Sequence, residues 1–192
     1  GSGSRSCASR AAAVPEEEGG AGGPAPRAPE IPGQRMVITT GAVRDDGTSR
    51  SYVQPEYPAV ADWSVVAALV AAARARGVRH AVGVTWSLDA FYARNGVLEA
   101  DGTIGTMSFA GYRPPGLAES ISQMRAARVQ NCEMESGILL TLAGLFGLQA
   151  GSICVVSDRA PWPGPAELDI DKNMDACIGV ATDAMLALAK GA

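Results

Sequence analysis

The chain has 192 residues, of which 47% are hydrophobic and 19% charged, with a net charge of -4 at pH 7. That length suits one domain with a true core, and the negative balance gives no general reason to bind nucleic acid or an anionic membrane. No stretch approaches the ~20 uninterrupted apolar residues of a transmembrane helix. The small, polar N-terminus does not read as a secretory signal, so a cytoplasmic location is expected.

Residues 15–33 stand apart in composition, from Pro15-Glu16-Glu17-Glu18-Gly19-Gly20 to Pro24-Ala25-Pro26 and beyond. This low-complexity Pro/Gly/Glu segment reads as a loop that separates residues 1–14 from a domain over 34–192. Residues 35–41 form a strand, and Asp45-Asp46-Gly47 reads as a turn. Asp62 is placed to cap a helix over 63–76, with Val66, Leu69, Val70 and Ala73 on one face and Gly77 at its end. A buried strand over 80–86 follows, then a loop carrying Phe91 and Tyr92.

An amphipathic helix covers 117–127, a short extended segment 129–135, and a helix 136–146 that stops at Gly147. Residues 152–157 read as an apolar strand ending in Ser157-Asp158-Arg159. The last helix, 171–190, sets Met174, Cys177, Ile178, Ala181, Met185 and Leu188 along one stripe. Apolar strands alternating with helices predict an α/β fold, a three-layer sandwich whose central mixed β-sheet is flanked by helices. Ligand groups in such sheets gather where strands end, and the polar clusters at Glu133 and at Asp158-Arg159 both follow strands.

Cys7, Cys132, Cys154 and Cys177 are far apart and form no metal-type pair, so no metal is expected and the thiols read as reduced. The single histidine, His80, directly precedes the apolar run Ala81-Val82-Gly83-Val84, which argues against a Ser-His-Asp or Cys-His mechanism. No GxGxxG or Walker-type loop follows a predicted strand, so no nucleotide cofactor is expected.

The run Asn131-Cys132-Glu133-Met134-Glu135-Ser136 holds two carboxylates around one methionine, where a short strand gives way to a helix. In an extended segment Glu133 and Glu135 share a face, and like charges on one face need a polar partner. A sugar diol is one such partner, since carboxylates accept hydrogen bonds from vicinal hydroxyls. Alternatively, Glu133 merely ends a strand while Glu135 supplies acidic charge to a helix N-terminus.

Four stretches together resemble the uridine phosphorylase family of the nucleoside phosphorylase superfamily. They are Thr39-Thr40-Gly41-Ala42-Val43-Arg44-Asp45-Asp46-Gly47-Thr48-Ser49, Pro55-Glu56-Tyr57-Pro58, Gly83-Val84-Thr85 with Asp89-Ala90-Phe91-Tyr92, and the Asn131-to-Ser136 run with Leu139-Leu140-Thr141. They span about residues 34–190 in order. The resemblance implies that Glu133, Met134 and Glu135 bind ribose, with Glu135 accepting the sugar hydroxyls. Phe91, Arg94, Asn95, Val156 and Arg159 would bind the base, while Asp158 stands where purine-type relatives keep a proton-donating aspartate. Asn95 falls where the family has a glutamine and Val97 where it has an arginine, so Arg94 would have to reach the base from another position.

Ser6, Cys7 and Ala8 resemble a remnant of the family's phosphate loop, or else belong to a plain polar terminus. The family's N-terminal third, with its phosphate-binding arginines, has no other counterpart here. The activity implied is phosphorolysis of uridine to uracil and ribose 1-phosphate, with inorganic phosphate as co-substrate, Glu135, Arg159 and Asp158 as catalytic residues, and no cofactor. A homodimer or higher oligomer is implied as well. Two alternatives stay open: a purine nucleoside phosphorylase or nucleosidase using Asp158, and a non-catalytic structural subunit.

Overall fold

A computed structural model describes residues 36–98, 101–157 and 170–191. The expectations placed on residues 1–14 (Ser6, Cys7 and Ala8 among them), on 15–33, and on Asp158 and Arg159 lie outside the described residues. In chain order the elements are β1 (Met36–Asp45), α1 (Gly47–Tyr52), β2 (Ala59–Val60), α2 (Trp63–Ala75), β3 (His80–Leu88) and α3 (Phe91–Arg94). There follow β4 (Val97–Leu98), β5 (Ile104–Gly105), a 3-10 turn (Phe109–Gly111), α4 (Leu117–Ala126), β6 (Asn131–Glu133), α5 (Ser136–Phe146), β7 (Ser152–Val155) and α6 (Ile170–Gly191).

The main sheet runs β2-β1-β3-β6, with β7 also paired to β1; β4 and β5 form a separate hairpin. β1, β3 and β6 are parallel, whereas β2 and β7 lie antiparallel to β1. The fold is therefore α/β with a mixed sheet flanked by helices. Parallel neighbours bring the C-terminal ends of β3 and β6 level, since Ser87 pairs with Glu133. β7 differs: its last residue, Val155, pairs with Met36, the first residue of β1. The grouping of ligand residues at strand ends thus holds for β1, β3 and β6, and not for β7.

Met36 and Ile38 point from β1 into a core made with Leu69, Ala72 and Ala73 of α2 and Cys177, Val180 and Ala184 of α6. Small residues at these positions let the two helices lie close to each other and to the sheet. The buried face of α6 is accordingly Asn173, Cys177, Val180 and Ala184, while Met174, Ile178 and Met185 of the predicted stripe are exposed. The 3.6-residue period was read correctly, but its phase was set by large side chains where packing selected small ones. α5 covers the opposite side, where Leu140 meets Ala59 and Ala61.

Capping explains most boundaries. The Asp62 carboxylate accepts from the Ser64 and Val65 amides and starts α2. Gly77 and Gly147 adopt positive φ just past α2 and α5, a backbone region that favours glycine. The predicted Asp45-Asp46-Gly47 turn is instead the junction of a longer β1 with α1. Asp46 is the N-cap there, accepting from the Ser49 amide and hydroxyl.

Candidate active site

The parallel strand ends carry the polar residues that the sequence singled out. At the end of β6 the chain turns through Met134 and Glu135 into α5. Glu133 folds back beneath this turn: its Oε2 accepts the backbone N–H of Glu135 and of Ser136, both at 2.8 Å. The carboxylate thereby satisfies a donor that every helix N-terminus leaves open and sits where the dipole favours negative charge. Its other oxygen, Oε1, is buried and has no hydrogen-bond partner among the described residues. Glu135 is exposed, with only the neighbouring Met134 amide at 3.3 Å from its Oε2. Met134 is partly buried beside it.

The two carboxylates therefore divide. Glu133 is tied to the turn, as the bland alternative had it, and Glu135 remains the carboxylate open to solvent.

α5 is seated by further contacts. The Gly137 amide donates to Ser87 Oγ at 2.9 Å, and the Ser136 and Ser152 hydroxyls bond at 2.8 Å. A Cβ at Gly137 would lie 2.5 Å from Asp46 Oδ2 and 2.9 Å from the Ser87 side chain, so only glycine allows this approach. Thr39, Thr85 and Asn131 continue the polar layer across β1, β3 and β6 at 2.7 and 2.8 Å. Cys154 adjoins it: burial pushes its thiol pKa up, the Ser152 and Asn131 hydrogen bonds act the other way, and the Glu133 charge adds to the rise. Neither Ser87 nor Asp46 was singled out as a site residue, although each sits one or two positions from a strand end.

Phe91 and Asn95 come from the loop after β3, next to the Glu133 turn; the Cys132 thiol reaches Asn95 Oδ1 at 3.7 Å. Phe91 is half-exposed and meets Tyr92 edge-on at 5.6 Å. Arg94 lies differently from expectation. Its guanidinium is paired with the Asp45 carboxylate, donates to the Asp45 carbonyl at 3.3 Å, and sits 5.7 Å from the Trp86 ring centre. Val156, also expected at the base, is partly buried just after β7.

Arg44 organises the far side of this end of the sheet. Buried at the end of β1, it donates to Ser49 Oγ and to the carbonyls of Ser49, Val53, Gln54 and Tyr57, which folds the 53–57 loop around one guanidinium. Among the described residues no group of three or more His, Cys, Asp or Glu is arranged to hold a metal ion. No helix among them is long and apolar enough to cross a membrane.

The family model described as "Phosphorylase superfamily" matches residues 18–190. The chain belongs to the phosphorylase superfamily. Among curated relatives, a uridine phosphorylase of Thermococcus kodakarensis is 43% identical over 121 residues, 63% of this chain and 40% of the relative. A uridine phosphorylase of Haemophilus influenzae is 37% identical over 154 residues, 80% of this chain and 58% of the relative. A guanosine phosphorylase of Halorubrum lacusprofundi is 35% identical over 121 residues, 63% of this chain and 41% of the relative. This superfamily member thus spans about half the length of the curated relatives it matches.

Proposed function

We propose that the protein is a nucleoside phosphorylase that cleaves the N-glycosidic bond of uridine with inorganic phosphate, giving uracil and ribose 1-phosphate. The observation that carries this reading is the superfamily match over residues 18–190, which contains the Glu133-Met134-Glu135 turn with one carboxylate left open. Relatives named uridine phosphorylase support the substrate.

In this mechanism a phosphate oxygen attacks C1′ of the ribose while the C1′–N bond breaks and its electron pair leaves with the base. The sugar passes through an oxocarbenium-like transition state, so a group that holds the hydroxyls and answers positive charge acts there. Glu135 is assigned to the sugar hydroxyls, and Met134 to packing under the ring. Phe91 forms a wall for the base, with Asn95 and Val156 beside it. Arg159 stabilises the departing base and Asp158 is its neighbouring acid. Ser6, Cys7 and Ala8 are assigned to phosphate, residues 15–33 to a connecting loop, and 34–192 to the catalytic fold. The reaction calls for no cofactor beyond phosphate. We further propose a cytoplasmic homodimer or higher oligomer, for which exposed Trp63, Phe109 and Met185 offer apolar surface.

A second reading, phosphorolysis of a purine nucleoside, draws on the guanosine phosphorylase relative and on the engagement of Arg94 away from the base loop. Turnover of uridine and of inosine by the complete protein, at saturating phosphate, distinguishes them. A clear preference for uridine is expected. A preference for inosine would transfer the assignment to the purine reading, and turnover of neither would indicate a non-catalytic member.

A further inference from the structure

α3 is a helix of one turn, too short to hold its shape unaided, since nucleating a helical turn is unfavourable. It begins after Ala90, which has a positive φ of 61° and offers no side-chain cap. Burial does little to hold it, because Phe91 is 42% exposed and Tyr92 67%. Three polar ties remain. The Asp89 carboxylate accepts the Gly47 amide at 2.6 Å, Thr106 Oγ1 reaches the Tyr92 carbonyl at 3.2 Å, and Arg94 engages Asp45.

The Arg94 tie is the charged one and the most elaborate. Asp45 Oδ2 receives both Arg94 and the Trp86 indole N–H, the latter at 3.0 Å, while the guanidinium lies near the indole ring. Arg50 meets the other oxygen at 3.1 Å. The Arg94 and Asp45 side chains are 22% and 23% exposed, against 49% for Arg50, so water screens the Arg94 pair less. Trp86 itself is fully buried and cannot move to follow Arg94.

We propose that Arg94 is a positioning residue whose ion pair with Asp45, set against Trp86, latches α3 to the end of β1. The latch fixes Phe91 and Asn95 next to the Glu133 turn and leaves no guanidinium from this loop for the base. The inference rests on the phosphorylase reading for its kinetic consequence. The latch itself is a matter of local stability that can be measured without turnover.

The test is a double-mutant cycle in the complete protein with Asp45→Asn, Arg94→Gln and both, plus Arg94→Lys. Each single variant should raise KM for the nucleoside by about tenfold, with kcat and the KM for phosphate changed less than about twofold. The double variant should be no worse than either single one, because both substitutions remove the same contact. Arg94→Lys, which keeps the charge, should recover part of the loss. The ratio of uridine to inosine turnover should stay constant throughout.

If Arg94→Gln shifts that ratio while Asp45→Asn leaves KM unchanged, Arg94 reads the base and the latch is wrong. Additive effects of the two substitutions would overturn it too. Amide hydrogen exchange at Ala93, Arg94 and Asn95, whose N–H groups bond to Ala90 and Phe91 carbonyls, supplies the second readout. Exchange should quicken equally in both single variants, and unaltered exchange would overturn the latch even in a protein that turns over no nucleoside. Quickened exchange without any turnover would keep the latch and reject the phosphorylase reading.

Discussion

Replacing Glu133 separates turn formation from substrate binding. Its Oε2 accepts two backbone N–H groups at the start of α5, a helix with no side-chain cap from Glu135 and no acidic residue in its first turn. Charge-assisted hydrogen bonds contribute roughly 1.5–3 kcal/mol each, and loss of an N-cap costs about 0.5–2 kcal/mol. Against this, Oε1 is buried without a partner, and removing such an atom relieves about 1–3 kcal/mol. The balance leaves Glu133→Ala destabilising by about 1–2 kcal/mol. Glu133→Gln keeps an acceptor in place and loses chiefly the charge on the helix dipole, about 0.3–1 kcal/mol. Urea unfolding of the complete protein at unchanged m-value measures both.

Activity should follow the same order. Glu133→Gln should keep kcat within about tenfold, while Glu133→Ala should fall further because the Glu135 backbone is no longer held. Equal loss of activity in both variants, with both as stable as the parent, would refute a capping role and return Glu133 to the substrate.

Glu135→Gln should reduce uridine phosphorolysis by at least about 100-fold in kcat/KM, since a carboxylate bond that strengthens as sugar charge develops acts in the transition state; activity within about threefold of the parent would remove the ribose assignment. Gly137→Ala should destabilise by about 1–3 kcal/mol in urea unfolding despite alanine's better helix propensity, because its Cβ meets Asp46 and the Ser87 side chain. Burial raises the thiol pKa of Cys154 and of Cys177, so each contributes stability that is complete below the ordinary thiol range and is lost as pH rises through the raised value. Stability titrated from neutral to alkaline pH should therefore fall more steeply in the parent than in a Cys154→Ala, Cys177→Ala variant.

The sequence made the helices legible because their signals are local. Asp62, Gly77 and Gly147 mark ends of α2 and α5 by chemistry that needs no tertiary context. The α6 stripe misled because Met174, Ile178 and Met185 look like core by hydropathy, and close helix packing on α2 instead buries Cys177, Val180 and Ala184. The direction of β7 was equally out of reach, since an apolar strand reads the same whichever way its neighbour runs. At the site, the spacing of Glu133 and Glu135 put two carboxylates at one turn but could not say which would face inward. That depends on the backbone donors of Glu135 and Ser136, which converge only once α5 is seated on Ser87. Arg94 was assigned to the base by its place in the loop, and its true neighbour, Asp45, lies on a strand 49 residues earlier.

These strand ends are assembled from charged side chains that hold loops. Arg44 gathers the carbonyls of the 53–57 loop, Asp46 starts α1, Asp45 receives Trp86 and two arginines, and Glu133 closes the turn into α5. A guanidinium or carboxylate engaged in this way is positioned by several bonds at once and is poorly available to a ligand. Among the carboxylates of these ends, that leaves Glu135, at the N-terminus of α5 and open to solvent, as the group best able to meet sugar hydroxyls. The density of ions at the site therefore reports on how tightly the turns are held, and the open groups between them define what can bind.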